Sequence, residues 1–374
     1  MPITLDGTNG ITTPMYNGSI TANAVTPSVN MKNRIINGAM VIDQRNAGAS
    51  VTVNSGTRIY SLDRFFGYGE SSDGVFTIQQ SSTAPAGFTN SAIITTTTAD
   101  ASVGASQYYL LGHSVEGFNS IADLNWGTAN AKTVTLSFWV RSSLTGQFGG
   151  SLTNNGNARS YPFSYTISAA NTWEQKSVTI AGDTSGTWLT TNGVGINIYW
   201  DLGCGSSNIG TAGSWSGSSF FGATGDTKLI STNGATFYIT GVQLEVGSTA
   251  TSFDYRPYGT ELALCQRYYY LHVKGNSKHI GRGNYYSTTH AEASVYFPVT
   301  MRTTTTLVAT SGTDYYVVNR SGGSDTLNSL TLNPETSESC ASLYNNSEAS
   351  GTSGVGGNFC TNNSSASIAF SAEL

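Results

Sequence analysis

The sequence predicts an all-β protein: an antiparallel jelly-roll β-sandwich followed by a smaller C-terminal β domain, with an extended N-terminal arm. Three observations predict it. Charged residues are 10% of the 374, against about 25% in ordinary globular chains. Glycine stands at 43, and Ser, Thr and Asn fill most of the remaining polar positions, a balance poor in helix formers and rich in turn and strand residues. Short runs of alternating apolar and polar residues recur between Gly, Asn and Ser clusters, at the spacing of a sandwich. No helical period of useful length separates them, which excludes βαβ units and a parallel sheet. With 38% apolar residues, 20 Tyr and 15 Phe, the composition is that of a folded chain.

Residues 1–32 hold too little apolar content for a core. Ile3, Leu5, Ile11, Met15, Tyr16, Ile20 and Val25 are scattered among the turn pairs Asp6 with Gly7 and Asn9 with Gly10. We read an arm that orders against partner chains, its Ile and Leu spacing supplying edge strands; a disordered leader is the alternative.

Residues 33–258 form the sandwich. Strands are expected at 40–44, 75–79, 92–96, 133–141, 173–180 and 194–202. In 133–141, Val134, Leu136, Phe138 and Val140 face inward and Trp139 and Arg141 outward; in 194–202, Val194, Ile196, Ile198 and Trp200 are in phase. The most strongly patterned strand starts at Thr236, with Phe237 and Ile239 on one face. At Gly241 the phase slips by one residue, and Val242, Leu244 and Val246 take it over. A β-bulge at Thr240 and Gly241 explains the slip. Glu245 is expected on the solvent face. Asp254 with Arg256, and Asp63 with Arg64, read as structural polar pairs.

A short helical connector is expected over 259–270, capped by Thr260, with Leu262, Cys265 and Tyr269 on one stripe. Residues 271–374 then carry a second set of strands, at 291–297, 306–310, 315–319, 327–332 and 367–372. Gly- and Ser-rich loops separate them, the longest being 345–358. About a hundred residues with few large aliphatics make a thin core, which gains from packing against copies of itself.

Several classes of function are disfavoured. The net charge of −5 is spread evenly, and no Lys/Arg run is long enough to neutralise successive phosphates, so no nucleic acid is expected as a partner. The start MPITLDGTNG has no signal-peptide pattern and no apolar run approaches a membrane span, so neither classical secretion nor membrane insertion is expected. The four cysteines have no CxxC and no His at ligand spacing, which disfavours zinc. Cys265 reads as a buried thiol, and Cys340 and Cys360 could pair only if their strands were neighbours, in a cytosol that opposes it. There is no GxSxG, P-loop, HExxH or Rossmann glycine pattern, and no EF-hand spacing. No cofactor, metal or catalytic residue is assigned. His113 and His272 read as packing residues. Asp201, Glu245 and Asp254 are the carboxylates a glycan hydrolase would need in a pair, yet no repeat of a β-helix accompanies them.

Sugar binding leaves a different trace. Aromatic rings offer flat platforms for pyranose faces, and nearby Asn, Asp and Arg read the hydroxyls. Trp215, in GSWSGSSFF, is the candidate in the sandwich. In the C-terminal domain the segment KHIGRGNYYSTTH (278–290) gathers Arg282, Tyr285, Tyr286 and His290, and Tyr344 lies in a late loop. On a strand, at most one of Tyr285 and Tyr286 can face a ligand. For each aromatic a loop cap or a subunit interface is the commoner use.

The run GVQLEVGSTATSFDYRPYGTELALCQRYYY, with NRIINGAMVIDQRNAG at 33–48 and TLSFWVRSS at 135–143, resembles tail-fibre proteins of tailed bacteriophages. The resemblance covers about 33–270, and the FSAEL at 370–374 is also similar. In that family a jelly-roll module similar to carbohydrate-binding modules is common. These motifs are structural, so no functional residue carries over. The resemblance implies a virion protein assembled in the host cytoplasm, a homotrimer held through residues 1–32 by another tail or baseplate protein. Its distal end would recognise host cell-surface polysaccharide or lipopolysaccharide. A head-fibre or tail decoration protein without a receptor, and a polysaccharide depolymerase, are the alternatives.

Overall fold

A computed structural model describes residues 31–54 and 56–374, together with the backbone of two short antiparallel strands, Thr4–Asp6 and Gly10–Thr12, in which Leu5 pairs with Ile11. The rest of the expected arm lies outside the described residues.

Two six-stranded antiparallel sheets build the jelly-roll sandwich. The front sheet runs Ser160–Ile167, Gly146–Thr153, Val194–Cys204, Tyr108–Glu116, Phe65–Gly69 and Ile59–Tyr60. The back sheet runs Glu174–Ile180, Val134–Ser142, Thr236–Val246, Ser91–Thr98, Val75–Ser81 and Val51–Val53. Alternation along each strand sends one set of side chains to a shared core. There Trp200 and Phe148 of the front sheet meet Phe138 and Phe237 of the back, with ring centroids 5.8 Å and 6.0 Å apart. Each such buried ring contributes about 1.5–3 kcal/mol.

Five of the six front-sheet strands, all but Val194–Cys204, escape an alternation search, three of them long. Tyr108–Glu116 is buried on both faces, because the loops that follow Cys204, with their short strands Ile209–Gly210 and Gly222–Ala223, cover its outer side. Gly146–Thr153 and Ser160–Ile167 are likewise covered on both faces over most of their length. A strand enclosed on two sides loses its polar phase.

The central back strand, Thr236–Val246, carries the expected bulge. Its register steps from Thr240 opposite Trp139 to Gln243 opposite Ser137, one residue more than its partner. Gly241 sits at φ +61°, where a Cβ would come within 2.7 Å of Phe88 and 3.1 Å of Trp139. Val246, at the end of the new phase, is 45% exposed.

Residues 40–44 are not a strand. Met40 and Ile42 are buried as their alternation implied, but Asn37 and Met40 adopt positive φ and the chain turns. This segment instead wraps the bulge: Asn33 donates from its side chain to the Val242 carbonyl and accepts from the Leu244 amide, and the Val242 amide donates to Gly38. The expected polar pairs are also rearranged. Glu245 is buried and accepts from Gln243 and from the amide and hydroxyl of Thr251. Arg256 pairs with Glu261 rather than Asp254, which accepts from the Asn33 amide. Asp63 is held by the Gln44 amide and side chain, and Arg64 reaches across to Glu373.

The connector helix spans Tyr258–Gln266. Pro257, not Thr260, stands at its N-cap, and no side chain caps it. Proline fixes φ and has no amide proton to leave unpaired at a helix start. Cys265 is buried against Ile36, Ile42 and Tyr268.

Beyond it, Ser367–Ser371 lies between Tyr269–Lys274 and Thr306–Ala309 in a three-stranded sheet. A seven-stranded antiparallel sheet runs Gly323–Leu327, Tyr316–Arg320, Gly356–Thr361, His279–Ser287, His290–Tyr296, Cys340–Asn345 and Thr331–Leu332. The expected strand over 327–332 is therefore broken into the ends of two, and the expected loop 345–358 gives way to a strand at Gly356. Two strands separate Cys340 from Cys360, roughly 14 Å at ordinary strand spacing, and both are free thiols. One apolar core, built around Tyr285, Tyr316, Phe359 and Phe370, fills the space between the two sheets.

Polar contacts join this unit to the sandwich. Glu373 bridges Arg45 and Arg64. The Leu374 carbonyl accepts from Arg58 and Tyr60 at 2.8 Å and 2.9 Å. Arg267 and Tyr268 both donate to Glu116.

Candidate functional site

The segment 278–290 is not a loop: it forms the central strand His279–Ser287 of the seven-stranded sheet and the start of the next. Gly283 permits the two strands to close, since a Cβ there would lie 1.8 Å from the Glu292 carbonyl oxygen. Alternation then sorts the candidates. Arg282, Asn284 and Tyr286 point away from the core, and Tyr285 points into it.

Tyr285 is fully buried and is removed from the ligand-contacting set. Its hydroxyl donates to Asp325 at 2.9 Å and accepts from Arg320 at 2.9 Å, and the Arg320 guanidinium lies 5.0 Å from its ring centroid. Burial, with the Asp325 hydrogen bond and charge behind it, pushes the phenol up to about 12.

Tyr286 is 71% exposed. Its ring lies 5.5 Å from that of His290, and His290 stacks on Tyr344 at 5.2 Å and 23°. Three successive strands thus supply three rings in a row. Glu292 stands beside them, its carboxylate 3.7 Å from His290 Nε2 and its backbone in register with Asn284 on one side and Tyr344 on the other. On the same outward face the register aligns Arg282, Asn358 and Asn319. Here a groove of about 570 Å³ opens, lined by Arg282, Asn319, Arg320, Ser321 and Asn358 around the glycines 283, 356 and 357. The arrangement offers flat apolar faces at one end and amide and guanidinium donors at the other, the two requirements for holding a sugar.

Four of the six sequence candidates, Arg282, Tyr286, His290 and Tyr344, are therefore brought together. Trp215 is not one of them. Its indole N–H donates to Ala181 at 2.7 Å, and its ring packs edge-on against Trp126, Trp188 and Tyr161. It fixes a loop to the sandwich. Asn319, Asn358 and Glu292 join the face without having been singled out; the first two are brought there by cross-strand pairings between Arg282, Asn358 and Asn319 far apart in sequence, which leave no local signature.

The other histidines and carboxylates that the sequence singles out lie away from this face. His113 is buried with neither ring nitrogen bonded, and burial holds its pKa well below 6.5. His272 bonds to the Ile280 carbonyl and the Tyr270 hydroxyl. Asp201 and Asp226 lie under the loops that cover the front sheet. Asp201 accepts from the Gly203 amide, and Asp226 from Gln147 and the Ala223 amide. Burial first, and then the charge of Asp226, pushes Asp201 up to about 7; burial pushes Asp226 up to about 6. Glu245 and Asp254 sit on the back-sheet side. Among the described residues, no three His, Cys, Asp or Glu side chains are grouped to hold a metal ion.

No protein-family model matches the chain, and no curated protein matches it in sequence. Solved structures similar to it include the enzymatically active domain of tailspike protein 4 from bacteriophage CBA120, at 10% identity over 58% of this chain and a TM-score of 0.30; this chain spans 22% of that one. A putative sugar binding protein from Bacteroides thetaiotaomicron is 14% identical over 57% of this chain and 100% of its own, with a TM-score of 0.33. The family 11 carbohydrate-binding module from Clostridium thermocellum, solved with a mixed-linked tetrasaccharide, is 9% identical over 53% and 100%, with a TM-score of 0.29.

Proposed function

We propose that this chain is a virion structural protein of a tailed bacteriophage, a homotrimeric tail fibre that recognises a host surface glycan with the outer face of its C-terminal sheet. The observation that carries the binding reading is the outward-facing row of the exposed Tyr286 and the half-buried His290 and Tyr344 beside a groove lined by Arg282, Asn319 and Asn358. The phage setting rests on the sequence resemblance of 33–270. Residues 1–32 hold the fibre to another tail or baseplate protein, and assembly takes place in the host cytoplasm. Binding without hydrolysis is favoured because Asp201 and Glu245 are buried and bonded on opposite sheets, which keeps that pair away from a shared substrate.

Glycan-array binding by the folded protein tests the reading. Removing one stacking ring costs about 1–3 kcal/mol, by analogy with bases stacked on aromatic side chains, or roughly ten- to a hundred-fold in affinity, and trimeric display multiplies the loss. Tyr286→Ala and Tyr344→Ala should each lose array signal and host-cell adsorption while remaining folded. Parental binding by both variants overturns the site. A virion-incorporated protein with no glycan signal at all is instead a decoration protein.

A further inference from the structure

We infer that the ligand of this face is an anionic oligosaccharide, oriented with a carboxylate or phosphate at the Arg282 end and a stacked neutral ring at the Tyr286 end. The inference rests on the glycan-binding reading above and adds the chemical class and the direction of the ligand.

The charges on the face are separated. Arg282 is exposed and, among the described residues, makes no ion pair and no side-chain hydrogen bond. Arg320 lines the same groove, but its guanidinium is bonded to the Ser350 carbonyl and to the Tyr285 hydroxyl, which itself donates to Asp325, so Arg282 is the cation of the groove without an acid linked to it. Among the described residues no carboxylate lines the groove. The start of the same strand carries the exposed His279, preceded by Lys278, with no acid between 278 and 282, in a chain whose net charge is −5. Glu292, in register with Asn284 between Arg282 and Tyr286 and with its carboxylate turned to within 3.7 Å of His290 Nε2, is the single carboxylate among the outward positions of His279–Ser287, His290–Tyr296 and Gly356–Thr361. An anion is thus attracted at Arg282 and repelled near the aromatic row.

The distances suit one ligand. Arg282 and Tyr286 are four positions apart on one strand, about 13 Å at ~3.3 Å per residue, the reach of a short oligosaccharide. Between them on the strand stands the outward Asn284, flanked by Gly356 on one neighbouring strand and by Glu292 on the other. Gly356 is exposed, and a Cβ there would meet nothing closer than the Gly283 carbonyl oxygen at 3.7 Å, so a ring can settle onto the strand backbone. A planar guanidinium binds a carboxylate or phosphate through two parallel N–H donors, and this charge-assisted geometry is the strong form of the hydrogen bond.

The test is an array of matched neutral, carboxylated and phosphorylated oligosaccharides, probed with the full chain and with Arg282→Gln, Tyr286→Ala and Gly356→Tyr. All three substitutions lie at exposed positions, and folding is checked by circular dichroism. Acidic ligands should give the stronger signal, and the two acidic arms show which anion is taken. Arg282→Gln should lower the acidic-to-neutral ratio about tenfold, as should 0.5 M salt. Gly356→Tyr, which fills the groove, should also remove the preference, while Tyr286→Ala should weaken both classes together. Equal binding of acidic and neutral ligands, still sensitive to Tyr286→Ala, overturns the anionic inference and leaves the glycan face standing. Acidic binding that Arg282→Gln does not change overturns it as well. Absence of Tyr286-dependent binding to every class overturns the underlying reading.

Discussion

Tyr285 and Tyr286 are neighbours in sequence and do opposite work. One is buried and bonds at its hydroxyl to the half-buried Asp325 and Arg320, and the other lies open on the sheet face. Tyr285→Phe should destabilise the protein by about 1–3 kcal/mol, because Asp325 and Arg320 each lose a partner; urea denaturation measures it, and a change within error contradicts these bonds. Asp201 gives a second residue-level expectation. Its carboxyl is pushed from 3.8 to about 7 in the fold, so the folded state prefers it protonated. Its contribution to stability is complete below pH 3.8 and is lost as pH rises through about 7. Asp201→Asn should therefore narrow the difference in Tm between pH 5 and pH 8, and an unchanged difference argues against it. His113, lowered well below 6.5, acts in the opposite sense: its contribution is complete above pH 6.5 and lost as pH falls below that. The opposed directions of the tyrosine pair were legible from strand periodicity. The burial of Asp201 was not, since what covers it arrives some twenty residues later.

Among elements, the bulged strand Thr236–Val246 was the most legible, because a phase slip at a glycine has one economical cause. Its support was not legible. Residues 33–48 have the alternation of a strand at Met40 and Ile42 but serve as a clamp, with Asn33 bonded to Val242, Leu244 and Ile35. Asn33→Ala leaves buried backbone groups of two segments unpaired and should cost about 2–4 kcal/mol, taking about 1–3 for each unsatisfied group. Loss of less than about 1 kcal/mol in denaturant melts would show that the bulge holds itself. Gly241→Ala should be comparably harmful, since φ +61° and the contact with Phe88 both reject a side chain. Tyr108–Glu116 shows the converse limit. Periodicity reports a strand only when one face meets water, and this one has no such face.

Across the whole molecule, sandwich and C-terminal unit are joined by buried charge. Arg64 is almost wholly enclosed, with Glu373 against its guanidinium and the Tyr268 ring 3.6 Å from it. Breaking a buried ion pair from one side costs about 3–5 kcal/mol. Glu373→Ala should therefore split one calorimetric unfolding transition into two, the C-terminal unit melting first; a single transition at the parental Tm would show that the junction does not depend on this pair. The all-β class was visible in composition. The junction was not, since its partners stand 309 positions apart and no local pattern links them. That separation also sets a clock. At synthesis rates of about 5–20 residues per second, Arg64 leaves the ribosome roughly 15–60 s before the carboxylate that neutralises it. For that interval the nascent sandwich must either carry an unanswered cation in its wall or leave that corner open. Its last stitch is made from the far end of the chain.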